Sequence, residues 1–151
     1  MASLRAAWEK VQVSVEVAEN IEAALWGKFI GAAALGGVGA VVHVPLGVWR
    51  QIPQVRAMLE RVMQEGRAVA RARGVQTPEN MVDLVNRAID ANPPAYMASM
   101  HEDIVGGRPS ELEYWNGAVV RLGRAAGVAT PLNEFIYHSL LPQERQARGQ
   151  V

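Results

Sequence analysis

The chain has 151 residues, half of them hydrophobic and a fifth charged, with 15 basic side chains against 15 acidic ones. That size and balance describe one ordinary globular domain with a core of its own, and exclude a disordered chain or a broad basic surface for nucleic acid. With no cysteine and three scattered histidines, His43, His101 and His138, disulfides, thiolate catalysis and a metal site are not expected.

Taken in chain order, residues 2–10 read as a short helical piece. Val11-Gln12-Val13-Ser14-Val15-Glu16-Val17 then alternates valine with polar residues and predicts a strand. No second strand is legible, so this one is expected to pair with another chain or to fray, because a lone strand leaves its N–H and C=O groups unpaired. Residues 29–49 carry no Lys, Arg, Asp or Glu, a length that could cross a bilayer. Gly31, Gly36, Gly37, Gly39, Gly47 and Pro45 instead predict an interrupted helix buried in a core, and no membrane span.

Pro53 opens the next predicted helix, with Val55, Met58, Leu59 and Val62 on one face, running to about Arg73 and closed by Gly74. Thr77-Pro78 reads as a cap followed by proline at the first helical position, ahead of Met81, Leu84, Val85, Ala88 and Ile89 at helical spacing. Ser110-Glu111-Leu112-Glu113 has the form of a capping box, in which the hydroxyl accepts an early N–H and Glu113 reaches back. Leu112, Trp115, Val119, Leu122 and Ala126 follow as a stripe, and Gly127 with Val128 marks its stop. Thr130-Pro131 opens the last helix, with Phe135, Ile136, Ser139 and Leu140 as its predicted apolar face.

Several motifs along this order resemble one family. They are Asn20-Ile21 with Leu25-Trp26-Gly27-Lys28-Phe29, then Tyr96-Met97-Ala98-Ser99-Met100 with Asp103, and Gly107-Arg108-Pro109-Ser110-Glu111-Leu112-Glu113 continuing to Asn116-Gly117 and Thr130-Pro131-Leu132-Asn133. Together they resemble the carboxy-terminal domain of the ketopantoate reductase family, from about Asn20 to Glu144. The resemblance implies an all-α bundle of the ketopantoate reductase and 6-phosphogluconate dehydrogenase C-terminal type, here with one short N-terminal strand. Residues 18–151 would form that domain, and residues 1–17 would be a remnant helix and strand of a preceding domain or a linker.

The resemblance further implies a substrate cleft facing a nucleotide-binding Rossmann domain. Lys28 matches the family's catalytic lysine, thought to protonate a ketone oxygen as hydride arrives from NADPH. Ser99 and Glu111 match residues that bind the substrate's carboxylate and hydroxyl. Those chemistries suit the residue types, since an ammonium stabilises charge building on oxygen and a carboxylate can orient a hydroxyl. Four and eight residues after the lysine, where many members carry asparagine, this chain has Ala32 and Gly36. The substrate's identity therefore stays open.

The Rossmann half is absent from the 151 residues. Gly37-Val38-Gly39 lacks the third glycine, which would fall at Val42, and no strand precedes it. No cofactor is expected on this chain alone, while NADPH is implied if a Rossmann domain is supplied. Two readings follow. One is the substrate-binding and dimer-forming part of an NADPH-dependent 2-oxo-acid reductase; the other is a non-enzymatic oligomerisation module or a truncated gene remnant. Expected partners are a second copy, a Rossmann domain and a small 2-oxo acid. With no apolar signal core in Met1-Ala2-Ser3-Leu4-Arg5, the cytoplasm is the expected compartment.

Overall fold

The computed structural model describes residues 7–13, 15 and 17–151. Seven helices follow one another: α1 (Ile21–Val42), α2 (Leu46–Trp49), α3 (Pro53–Ala72), α4 (Met81–Asp90), α5 (Ser99–Val105), α6 (Asn116–Ala125) and α7 (Pro131–Ala147). Residues 7–10 add a helical turn before them. The all-α reading holds, and α1 is its axis, with α3, α4, α5, α6 and α7 all packed against it.

No strand forms among the described residues. Val11 and Gln12 lie in a turn and Val13, Val15 and Val17 are irregular, so the predicted strand is not made there. The reason is the one that made it suspect: there is no neighbouring strand to take its backbone hydrogen bonds. Ser14, Glu16 and residues 1–6, including most of the predicted helical piece, fall outside the described residues.

The expected interruption of the apolar segment is also corrected. Asn20 caps α1 through Oδ1, which accepts from the Ala23 N–H at 3.0 Å, and the helix then runs unbroken for 22 residues. It ends at His43, whose φ is 57°, and only then does Pro45 start α2. Its glycines are tolerated because neighbours fill the space a side chain would occupy. A Cβ on Gly37 would stand 2.7 Å from Asn116 Oδ1 and 2.9 Å from Ile136 Cγ2, and one on Gly39 would stand 2.7 Å from His101 Nδ1. Close packing on both sides offsets the helix propensity that each glycine costs. By length and composition α1 could cross a membrane, yet ten of its residues are buried by the helices around it.

Helix ends divide the successes of local reading from its failures. Pro53 and Pro131 do open α3 and α7, and Gly74 and Gly127 take positive φ just past α3 and α6. The Val128 N–H returns to the Gly123 carbonyl at 2.8 Å, as a glycine stop requires. But α4 starts at Met81 rather than at Pro78, and the Thr77 hydroxyl is buried without a partner. Glu79, in the intervening turn, is drawn instead to Arg67 at 3.0 Å and to Arg71 at 3.3 Å. The Arg67 guanidinium, with Arg71 behind it, lowers its carboxyl below the usual carboxylate range.

Thr130 likewise supplies no side-chain cap to α7. Glu65 of α3 does so, accepting from the backbone N–H groups of Leu132 at 2.9 Å and Asn133 at 3.0 Å. Nor do the four residues from Ser110 close into a box: α6 starts at Asn116, Ser110 bonds Glu144, and Glu113 accepts from Tyr137 at 2.6 Å and pairs with Arg121. The face of α7 turns accordingly. Ile136 and Leu140 are buried as expected, with Asn133 and Glu144, while Phe135 and Ser139 face outward.

Candidate functional site

Gly31 lets α4 approach α1 closely. A Cβ on Gly31 would stand 2.9 Å from Val85 Cγ1, so the approach depends on its absence. Between the two helices lies an open groove of about 580 Å³. Its α4 wall is Leu84, Val85, Ala88 and Ile89, and its α1 side includes Ala32 and Leu35. Lys28 also lines it, exposed and with no hydrogen bond or ion pair among the described residues. Asn92 closes the far end, its amide nitrogen donating to the carbonyls of Ala88 and Ile89, both at 3.0 Å. Arg50 Nη1 fixes the Asn92 carbonyl at 3.1 Å.

A lone ammonium beside a mostly apolar wall can do two things. It draws in a small anion, and it can stabilise charge that develops on an oxygen set against it. Of the groove's residues, the sequence points to Lys28 and, as a departure from the family pattern, to Ala32; the α4 wall and Asn92 were missed as site components. The signal that could have exposed them is the amphipathic run 81–89 broken at once by Asn92-Pro93-Pro94.

Ser99 and Glu111 do come together. Ser99 opens α5, and its Oγ donates to Glu111 Oε2 at 3.3 Å, with both residues exposed. They do not line the Lys28 groove. What connects them to it is one face of α1: Lys28, Ala32 and Gly36 succeed each other turn by turn, and Met100, next to Ser99, packs onto Gly36. A Cβ at position 36 would lie 3.0 Å from Met100 Cε and 3.3 Å from Met100 Cβ. A side chain at position 36 would require Met100 to give way.

Behind this end of the site sits His101, 1% exposed, with Nε2 unpartnered. Burial lowers its pKa from the usual 6.5, His43 lowers it further, and Glu102 on its own helix opposes. A histidine held neutral in the folded state is protonated first in the unfolded chain. The stability it allows is therefore complete above about pH 6.5 and lost as pH falls from there through the lowered folded value. We expect the Tm to fall between pH 7.5 and 5.5 and expect His101→Gln to flatten that slope, as scanning calorimetry across the range would show. Among the described residues no group of three or more acidic or imidazole side chains could hold a metal.

The family model described as the ketopantoate reductase PanE/ApbA C terminal matches residues 20–144. The 2-dehydropantoate 2-reductase of Pyrobaculum aerophilum is 35% identical over 130 residues, which cover 86% of this chain and 46% of that protein. A PanE/ApbA family ketopantoate reductase from Ralstonia eutropha superposes with a TM-score of 0.85 at 31% identity, over 97% of this chain and 49% of that one. A dimeric ketopantoate reductase from Staphylococcus aureus gives 0.82 at 25% identity, over 97% and 52%. The chain thus spans about half the length of the relatives it matches.

Proposed function

Because the chain belongs to the ketopantoate reductase C-terminal family, we propose that it is the substrate-binding and dimer-forming half of an NADPH-dependent 2-oxo-acid reductase. Hydride transfer would then need a nucleotide-binding Rossmann domain, on another chain or elsewhere in the same protein. The observation that carries this reading is Lys28 in the α1–α4 groove, unpaired among the described residues. As hydride reaches the ketone carbon, the carbonyl π electrons move to oxygen, and the Lys28 ammonium stabilises that charge and donates the proton that completes the alcohol. Ser99 and Glu111 would hold polar groups of the substrate once it separates their mutual hydrogen bond.

The glycine run supports placing the nucleotide elsewhere. Gly36, Gly37 and Gly39 are buried in the middle of α1 under Met100, Asn116 and His101, so no phosphate can approach their backbone. We place the protein in the cytoplasm on the same reading. A second reading, a non-enzymatic oligomerisation module, is favoured by one observation: Ser99 and Glu111 already satisfy each other.

Reconstitution tests the proposal. This chain, mixed with a separately produced Rossmann domain of a relative, should consume NADPH when a 2-oxo acid is added, and neither component should do so alone. Tight binding of NADPH by the 151-residue chain, or an inert mixture whose domains do associate, would overturn it.

A further inference from the structure

We propose that the hollow between α7 and the loop after Glu111 binds a small aromatic carboxylate, and that its occupant stiffens the backbone carrying Glu111. The hollow measures about 340 Å³, with Glu113 and Tyr114 on the loop side and Tyr137, Leu141, Glu144 and Arg145 on α7. Charge decides what it can hold. Glu113 is paired with Arg121 and accepts from the Tyr137 hydroxyl at 2.6 Å. Glu144 is taken up by Ser110 and by Arg148, which also lines the hollow. Both carboxylates of the lining are therefore spent, and so is one of its two guanidiniums. Arg145 is exposed, and its side chain has no hydrogen bond or ion pair among the described residues; the same is true of the Tyr114 hydroxyl and the Gln150 side-chain amide. One free cation with neutral donors beside it is the complement of a ligand with a single anionic group. The body of that ligand meets two phenol rings and Leu141. Tyr114 is 71% exposed, so its ring has surface left to bury, and a ring set against it gains more than an aliphatic stem of equal area.

The same walls lead to the Ser99–Glu111 pair. The N–H groups of Tyr114 and Trp115 both return to the Glu111 carbonyl, at 2.9 Å and 3.0 Å. On the other side of Glu111, Ser110 is held by Glu144. A ligand spanning Tyr114 and Arg145 would join the loop to α7 beside the ties that Ser110 and Glu113 already make there. An opening of the loop that expels the ligand becomes about tenfold rarer when the ligand is present at about ten times its Kd. The site stands whether or not Glu111 meets a substrate.

The test is a titration of the isotopically labelled full chain with benzoate, acetate and inorganic phosphate, followed by NMR at the amides of residues 111–115 and 141–150. Benzoate should bind with a Kd of about 1 mM, ordinary for so small a molecule at an open site, and about tenfold tighter than acetate or phosphate. Arg145→Ala should weaken benzoate about tenfold and leave the Tm unchanged, because it removes a charge that bonds nothing in the fold. Tyr114→Ala should bring benzoate down to the level of acetate, and Lys28→Ala should change neither. With benzoate at about ten times its Kd, hydrogen exchange at Tyr114 and Trp115 should slow about tenfold. Benzoate binding no tighter than acetate, binding indifferent to Arg145→Ala, or binding abolished by Lys28→Ala would overturn the site. Unchanged exchange at Tyr114 and Trp115 with benzoate bound would overturn its hold on the Glu111 backbone.

Discussion

Lys28→Ala should lower kcat of the reconstituted reductase by about 10²- to 10⁴-fold while leaving the Tm of this chain nearly unchanged. The two halves of that expectation come from different properties of one side chain. Lys28 is exposed and bonds nothing among the described residues, so its removal takes no contact from the fold, and a surface change of this kind usually stays within about 0.5 kcal/mol. Its chemical value would arise only when an oxygen beside it gains charge. Loss of a single donor to such an oxygen costs about 10²–10³ in rate, and loss of a proton donor adds to that. Lys28→Arg keeps the charge but replaces a compact, acidic donor by a broad fork whose proton is held far more tightly, so most of the rate should still be lost. Steady-state kinetics separates the possibilities. A rise in KM with kcat intact would make Lys28 a binding group only, and a variant as active as the parent would take it out of the mechanism.

What could be read in advance follows from the range over which each feature is decided. The faces of α3 and α4, the proline starts of α3 and α7, and the glycine stops after α3 and α6 depend on residues within a turn or two, and local spacing found them. The caps did not follow the local signature, because the groups that satisfy these helix ends are far away in sequence. Glu65 reaches α7 across 67 residues, and Glu144 reaches Ser110 across 34. The same holds for the glycines of α1, which looked like breaks until their neighbours were in place. Lys28, Ser99 and Glu111 were named by resemblance alone; the fold adds that Ser99 meets Glu111 and that Lys28 stands apart from them in a groove of its own. The α4 wall was read only as a core face, since an amphipathic stripe does not tell which of its residues the other helices leave uncovered.

Glu144→Ala should cost about 3 kcal/mol of folding stability, the expected loss when one partner of a buried charged network is removed. Glu144 is 4% exposed and accepts from the Ser110 N–H at 3.0 Å, from the Ser110 hydroxyl at 2.6 Å and from Arg148 Nε at 2.5 Å. Without it the buried N–H and hydroxyl of Ser110 lose their acceptor, and Arg148 keeps only its bond to the Ser110 carbonyl at 2.8 Å. For a domain of this length such a loss lowers Tm by roughly 10 °C. Arg148→Ala should cost less, because its side chain is 38% exposed and water can replace what it gave. The consequence extends to the site, since Ser110 precedes Glu111 and its tie to α7 anchors the loop that sets Glu111 against Ser99. Glu144→Ala should therefore loosen that loop as well as the fold, visible as faster hydrogen exchange at Leu112, whose N–H is held by Ser110 Oγ at 3.2 Å. A Tm drop below about 3 °C, which at this chain length is roughly 1 kcal/mol, or unchanged exchange at Leu112, would show that this carboxylate does not anchor the loop.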